Sequence, residues 1–210
     1  MLDKIITKCD YRKPVILGSF VNALGLVRSF SLAGMRSIVI AWEDNLACYS
    51  RLADTVQAPN PVESEKEFIE LLIAVGKYLS CGGFLVCTDD ATVSLTARFR
   101  SDLEPYYVVL GAKWEALEKC VDKKLMYKYA EKASVAIPKT LYFDNVNQIR
   151  NDIDLIPIPC ILKPAVTIGF LEALKLNGRT LPIGDRDQLI KILDHLDNVN
   201  LSNREYIIQE

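Results

Sequence analysis

Histidine is almost missing from this sequence: His195 is the one example in 210 residues. A Ser-His-Asp triad needs a histidine beside its nucleophile, and zinc sites commonly take two or more. His195 lies in Leu193-Asp194-His195-Leu196, near the end of an expected helix where a cation suits the dipole, so its role reads as structural. Six cysteines occur without any C-x-x-C pair, and the one close pair, Cys81 and Cys87, lies across Gly82-Gly83. No metal centre is expected from them. Cys87 and Cys160 fall in apolar runs, which suits buried reduced thiols. No stretch approaches the roughly 18 apolar residues of a membrane span, and Ile5-Ile6 is too short for a signal core. With both lacking, the cytoplasm is the expected compartment and no membrane partner is expected. Net charge is also close to nil, with 25 Lys and Arg against 27 Asp and Glu and no basic stripe, so nothing favours nucleic acid. Internal repeats, low-complexity stretches and a G-x-x-x-x-G-K-[ST] loop are absent as well. The first strand-to-helix turn, Gly18 to Gly25, has Phe20 where a dinucleotide fingerprint needs its second glycine, which argues against a Rossmann-type oxidoreductase.

What is present fits a globular chain of one large or two small domains, half hydrophobic and a quarter charged. Pro14 to Gly18 reads as a buried strand, and Ala23, Leu24, Leu26, Val27, Phe30 and Leu32 as a helix capped by Asn22 and closed by Gly34. Ser37 to Ala41 is a second strand, completing a βαβ unit. Phe68, Leu71, Leu72, Val75 and Leu79 mark one face of an amphipathic helix. Phe84 to Cys87 is a third strand, ending at Thr88-Asp89-Asp90. Further on, Val93 to Leu103 suits a helix and Tyr106 to Leu110 a strand. This alternation predicts α/β with a mainly parallel sheet. Beyond Gly111 the pattern changes. One helix is expected over Trp114 to Lys132, then a strand over Thr140 to Phe143 and a helix capped by Asn145. A strand over Ile158 to Leu162, a hairpin over Leu171 to Ile183 around Asn177-Gly178, a helix capped by Asp185 and a last strand over Glu205 to Gln209 follow. This half reads as α+β, and the boundary falls near residue 112.

Among residues able to carry chemistry, Asp89 or Asp90 suits the N-terminus of the next helix, and a contact to an amine-bearing substrate is the sharper alternative. Open α/β sheets bind ligands at the carboxyl ends of their strands, where Ser19 also falls. Lys163 ends an apolar run and precedes Pro164; burial there is costly unless its ammonium meets an anion or snorkels. Alone, Lys123 reads as a helix-surface charge.

Order changes that reading. Trp114, Asp122-Lys123, Ile137-Pro138-Lys139-Thr140, Ile161-Leu162-Lys163-Pro164 and Ile207-Ile208-Gln209-Glu210 together resemble the ATP-grasp superfamily. More narrowly they resemble its carboxylate–amine ligase group, which includes D-aspartate ligase-like and carbamoyl-phosphate-synthase-like proteins. The segment with Leu17-Gly18-Ser19, Leu24 to Ser29 and Gly34 is similar to the Rossmann-like pre-ATP-grasp domain of that group. The resemblance implies a pre-ATP-grasp domain over 1–112 and an incomplete ATP-grasp domain over 113–210. It implies that Lys123 and Lys163 contact ATP phosphates, that Glu210, beside Gln209 and Ile208, meets the adenosine part, and that Lys175 sits in a phosphate flap. Ser19 and Asp89 are the expected substrate contacts. The flap departs from the family's glycine-rich form, since Val166 to Phe170 holds one glycine.

By the resemblance, the family's magnesium-binding Glu and Asn residues and its catalytic arginine come from the segment after the strand that carries Ile208 and Gln209. Magnesium is therefore an expected cofactor with ligands beyond Glu210, and this chain alone is expected not to complete catalysis. The expected partners are a small-molecule carboxylate and an amine, with a homodimer left open. The rival from another class is a non-catalytic module that binds a nucleotide or a partner protein without turnover.

Overall fold

The computed structural model describes residues 11–166, 170 and 180–210. They pack as two units, Met1–Leu117 and Glu118–Glu210.

In the first unit, strands Lys13–Leu17 (β1), Ser37–Ala41 (β2), Ala53–Gln57 (β3), Gly83–Cys87 (β4) and Tyr107–Val109 (β5) form a parallel sheet in the order β3-β2-β1-β4-β5. Strand alternation splits the apolar residues between two cores. Ile16, Val39 and Ala41 face Ala23 and Val27 of helix Val21–Leu32 (α1). Val15, Leu17, Ile38, Ile40 and Leu85 face Phe68, Leu72 and Val75 of Glu65–Tyr78 (α2), together with Leu95 of Asp90–Arg98 (α3) and Leu103 of Arg100–Leu103 (α4). A 14-residue helix is marginal alone. Burying each large apolar side chain of α2 contributes roughly 1.5–3 kcal/mol, which decides for the helix. The α/β class with a parallel sheet is as expected.

Two expectations in this unit are corrected. Asn22 does not cap α1: the helix starts two residues earlier than that cap implies, at Val21, Phe20 is the cap residue without a side-chain bond, and Asn22 reaches across to Thr88. Gly34, at φ +76°, does close the helix. Strand β3 was not expected, because Asp54 and Gln57 break its apolar pattern. Asp54 is buried on it because Arg36 Nε donates to it at 2.8 Å and Lys13, itself 1% exposed, stands 3.6 Å away.

In the second unit, strands Thr140–Phe143 (β6), Cys160–Pro164 (β7), Leu181–Ile183 (β8) and Tyr206–Gln209 (β9) form an antiparallel sheet in the order β6-β9-β7-β8. One face carries Phe143, Leu162, Ile183, Tyr206 and Ile208 onto Val146 and Ile149 of Val146–Asn151 (α7), and onto Leu189, Leu193 and Leu196 of helix Arg186–Asn198, α8. Asn145 and Asp185 cap these helices, as their sequence positions suggest. Residues 114–132 are not one helix. Trp114–Val121 (α5) stops before Asp122, whose Oδ1 accepts from the N–H groups of Lys124 and Leu125 and so starts Lys123–Lys132 (α6). Strand β7 runs to Pro164, which pairs with Tyr206 as the last strand residue, instead of ending at Leu162. Of the expected hairpin, Leu181–Ile183 pairs with Cys160–Leu162; residues 171–179 lie outside the described residues. Cys160 is buried and Cys87 half-buried, and burial pushes both thiols up.

Tyr206 is fully buried, packs edge-on to Phe170 and donates its hydroxyl to Leu201 O at 2.7 Å. Burial pushes its phenol up to about 12. The folded value lies above the unfolded one near 10, so this contribution is full below about pH 10 and lost as pH rises through 12. An alkaline titration followed by phenolate absorbance and circular dichroism should show buried tyrosine ionising only together with loss of structure.

Candidate functional site

Two clusters carry the residues of interest, one in each unit. In the first unit the strand order reverses between β1 and β4, and the ends of β1, β2 and β4 meet there. Thr88 Oγ1 donates to Leu17 O at 2.7 Å, and Asn22 Nδ2 donates to Thr88 O at 2.7 Å. Ser19 Oγ, 7% exposed as a residue, donates to Glu43 O at 2.8 Å. Gly18 makes this closure fit: its φ is +118°, and a Cβ there would lie 2.1 Å from Thr88 Oγ1. The loops enclose a pocket of about 190 Å³ lined by Ser19, Asn22, Trp42, Glu43, Asn45 and Asp89, among others. Its size suits part of a small substrate better than a whole drug-sized one, which needs roughly 300 Å³ or more. Ser19 and Asp89 are thus brought together. Asp89 also caps α3, its Oδ1 accepting from Thr92 N at 2.8 Å and Thr92 Oγ1 at 3.0 Å.

In the second unit the sheet face opposite the α7–α8 core carries Thr140, Tyr142, Ile161, Lys163, Pro182, Ile207 and Gln209 by alternation. Lys163 Nζ donates to Gln209 Oε1 at 2.7 Å, so its ammonium meets a neutral amide. The Tyr127 hydroxyl of α6 lies 3.5 Å from the same oxygen. Tyr142 has a buried hydroxyl without a hydrogen-bond partner among the described residues, and burial beside Glu131 and Tyr127 pushes its phenol up. Lys123 N donates to Ala165 O at 2.9 Å, which ties the first turn of α6 to the end of β7. The fold therefore brings the backbone of Lys123 beside the end of the strand that carries Lys163. Its neighbour Lys124 is held elsewhere, between Asp144 at 2.8 Å and Glu205 at 2.7 Å, which raise its pKa.

Glu210 pairs with Lys139 at 2.5 Å on the surface. Such exposed pairs are worth about 0–1 kcal/mol. Glu210 also borders a pocket of about 390 Å³ with Pro159, Ile161, Pro182, Ile183 and Gly184. Lys175 lies outside the described residues. Sequence reasoning passed over Thr140, Tyr127 and Trp42 as site residues. Tyr127 was legible as the i+4 neighbour of Lys123 on α6. Among the described residues, no group of three or more His, Cys, Asp or Glu is arranged to hold a metal ion.

Comparison with known proteins accords with this geometry. No family model matches the chain. It is 24% identical over 175 residues to D-aspartate ligase from Enterococcus faecium, covering 79% of this chain and 41% of that protein. Its fold is similar to that of an L-amino acid ligase from Bacillus licheniformis, with TM-score 0.66, 14% identity and coverage of 96% of this chain and 45% of the other. N5-carboxyaminoimidazole synthetase from Staphylococcus aureus, complexed with ADP, matches with TM-score 0.64, 12% identity and coverage of 98% and 49%. The fold is that of the ATP-grasp carboxylate–amine ligases, and the resemblance read from the motifs is borne out for their N-terminal portion. The chain spans about half the length of these relatives. No helix among the described residues is long and apolar enough to cross a membrane.

Proposed function

We propose that this chain supplies the substrate-side domain (residues 1–112) and the first part of the nucleotide fold (residues 113–210) of an ATP-dependent carboxylate–amine ligase. One observation carries the reading. Lys163 and Ile161 share a strand face, about 7 Å apart by strand geometry, with the cation at one end and the apolar pocket bordered by Glu210 at the other. Polyphosphate wants the first and a purine wants the second. A volume of about 390 Å³ also lies within the usual range for a small-molecule site.

Lys163 and Lys123 hold phosphate oxygens, lysine being a point charge with rotatable donors suited to them. Glu210 and the main chain of Ile208 and Gln209 meet the adenosine part. Lys175 is proposed as a further phosphate contact from the family resemblance alone. Ser19 and Asp89 orient substrate at the switch point of the first sheet. The partners are a small-molecule carboxylate and an amine: ATP phosphorylates the carboxylate and leaves as ADP, the amine attacks the acyl phosphate, and amide and phosphate result. These residues act by positioning and by charge, without a covalent protein intermediate. Magnesium, when bound, offsets charge between the phosphate oxygens, and no step is assigned to it on this chain.

The test is a calorimetric titration of the chain with ATP plus magnesium and separately with NADH. Saturable ATP binding with no NADH binding is expected. NADH binding without ATP binding would reject the reading.

A further inference from the structure

Gln209 is 3% exposed, yet its side chain carries both donors and acceptors that burial obliges it to satisfy. Its neighbours fix which end points where. Thr140 Oγ1 donates its one proton to Pro138 O at 2.7 Å, so towards Gln209 Nε2, 2.9 Å away, it acts as acceptor. The amide nitrogen is thereby turned to Thr140 and the amide oxygen to Lys163, whose Nζ donates to it at 2.7 Å. Strand register sets up the relay, since Thr140 pairs directly with Gln209 and Lys163 is a diagonal neighbour on the same face.

We infer that Pro138, Thr140 and Gln209 form a relay that presents the Lys163 ammonium to a polyphosphate ligand, with Gln209 a positioning residue. This rests on the nucleotide reading above. An ammonium has three N–H groups; the relay occupies one and leaves two to turn towards phosphate oxygens. Holding a long side chain in place before the ligand arrives reduces the ordering cost of binding, an effect of about three- to tenfold in affinity. Amide chemistry at position 209 also matters. A carboxylate there would neutralise Lys163 and repel the incoming anion, whereas a neutral oxygen orients the cation and leaves its charge for the ligand.

The test compares the unmodified chain with Thr140→Val, Thr140→Ser and Gln209→Glu, each checked for an unchanged thermal transition. ATP and adenosine binding are measured by calorimetry, and Lys163 acetylation without nucleotide is followed by mass spectrometry. Thr140→Val should weaken ATP about three- to tenfold while leaving adenosine within about twofold, because only the phosphate end depends on the relay. Thr140→Ser should restore ATP affinity, and Gln209→Glu should weaken ATP by more than about tenfold. Acetylation of Lys163 should be faster in Thr140→Val than in the unmodified chain. Equal losses of ATP and adenosine, or equal acetylation rates, would overturn the relay. If the unmodified chain binds no ATP, the nucleotide reading fails, and the acetylation rates alone decide whether the relay exists.

Discussion

Replacing Lys163 by alanine is expected to raise the dissociation constant for ATP about 10- to 150-fold. The figure follows from one charge-assisted hydrogen bond to phosphate, worth about 1.5–3 kcal/mol. Lys163 is half-buried on a sheet face, so its field is screened less than that of a surface lysine. Stability should change far less. In the folded chain Lys163 bonds Gln209, and the Tyr127 hydroxyl stays near the abandoned oxygen. Calorimetry with ATP, paired with a thermal melt, separates the two effects. Lys191→Ala provides the control, being an exposed lysine on α8, which packs on the opposite sheet face, and should bind ATP as the unmodified chain does.

The second large effect concerns the first unit. Gly18→Ala should destabilise it by about 2–6 kcal/mol and close the pocket at the switch point. Two costs combine: a side chain at φ +118°, about 1–3 kcal/mol, and overpacking against Thr88, about 1–3 kcal/mol. Thr88 has no easy retreat, because its hydroxyl is committed to Leu17 O and its carbonyl to Asn22. A denaturant melt measures the loss. Gly25→Ala is the matched control: nothing lies within 4 Å of where a Cβ would stand, and the residue sits in α1, where alanine favours helix.

Legibility in the sequence followed physical simplicity. Strands β1, β2 and β4 are short apolar runs between turns, and helix α2 carries its apolar residues at helical spacing; all four were readable. Strand β3 was not, because Asp54 is tolerated only through Lys13 and Arg36, partners that strand pairing brings from elsewhere. The break at Asp122 hides inside a helical pattern until its side chain takes the N–H groups of Lys124 and Leu125. Site residues divide the same way. Lys163 stood out as a cation ending an apolar run, and Ser19 and Asp89 followed from the rule that ligands sit at strand ends. Thr140 did not stand out, since its role depends on which residue it faces across β6 and β9, and register is not written in either strand alone.

A nucleotide site on the face of the second sheet opposite the α7–α8 core is the central claim. An NMR titration of the chain with ATP and magnesium tests it most directly. Saturable shifts are expected at Ile161, Lys163, Ile207, Gln209 and Glu210, with Leu189, Leu193 and Leu196 of the α8 core unmoved. Shifts confined to Gly18, Ser19 and Asp89, or none at millimolar ATP, would contradict it.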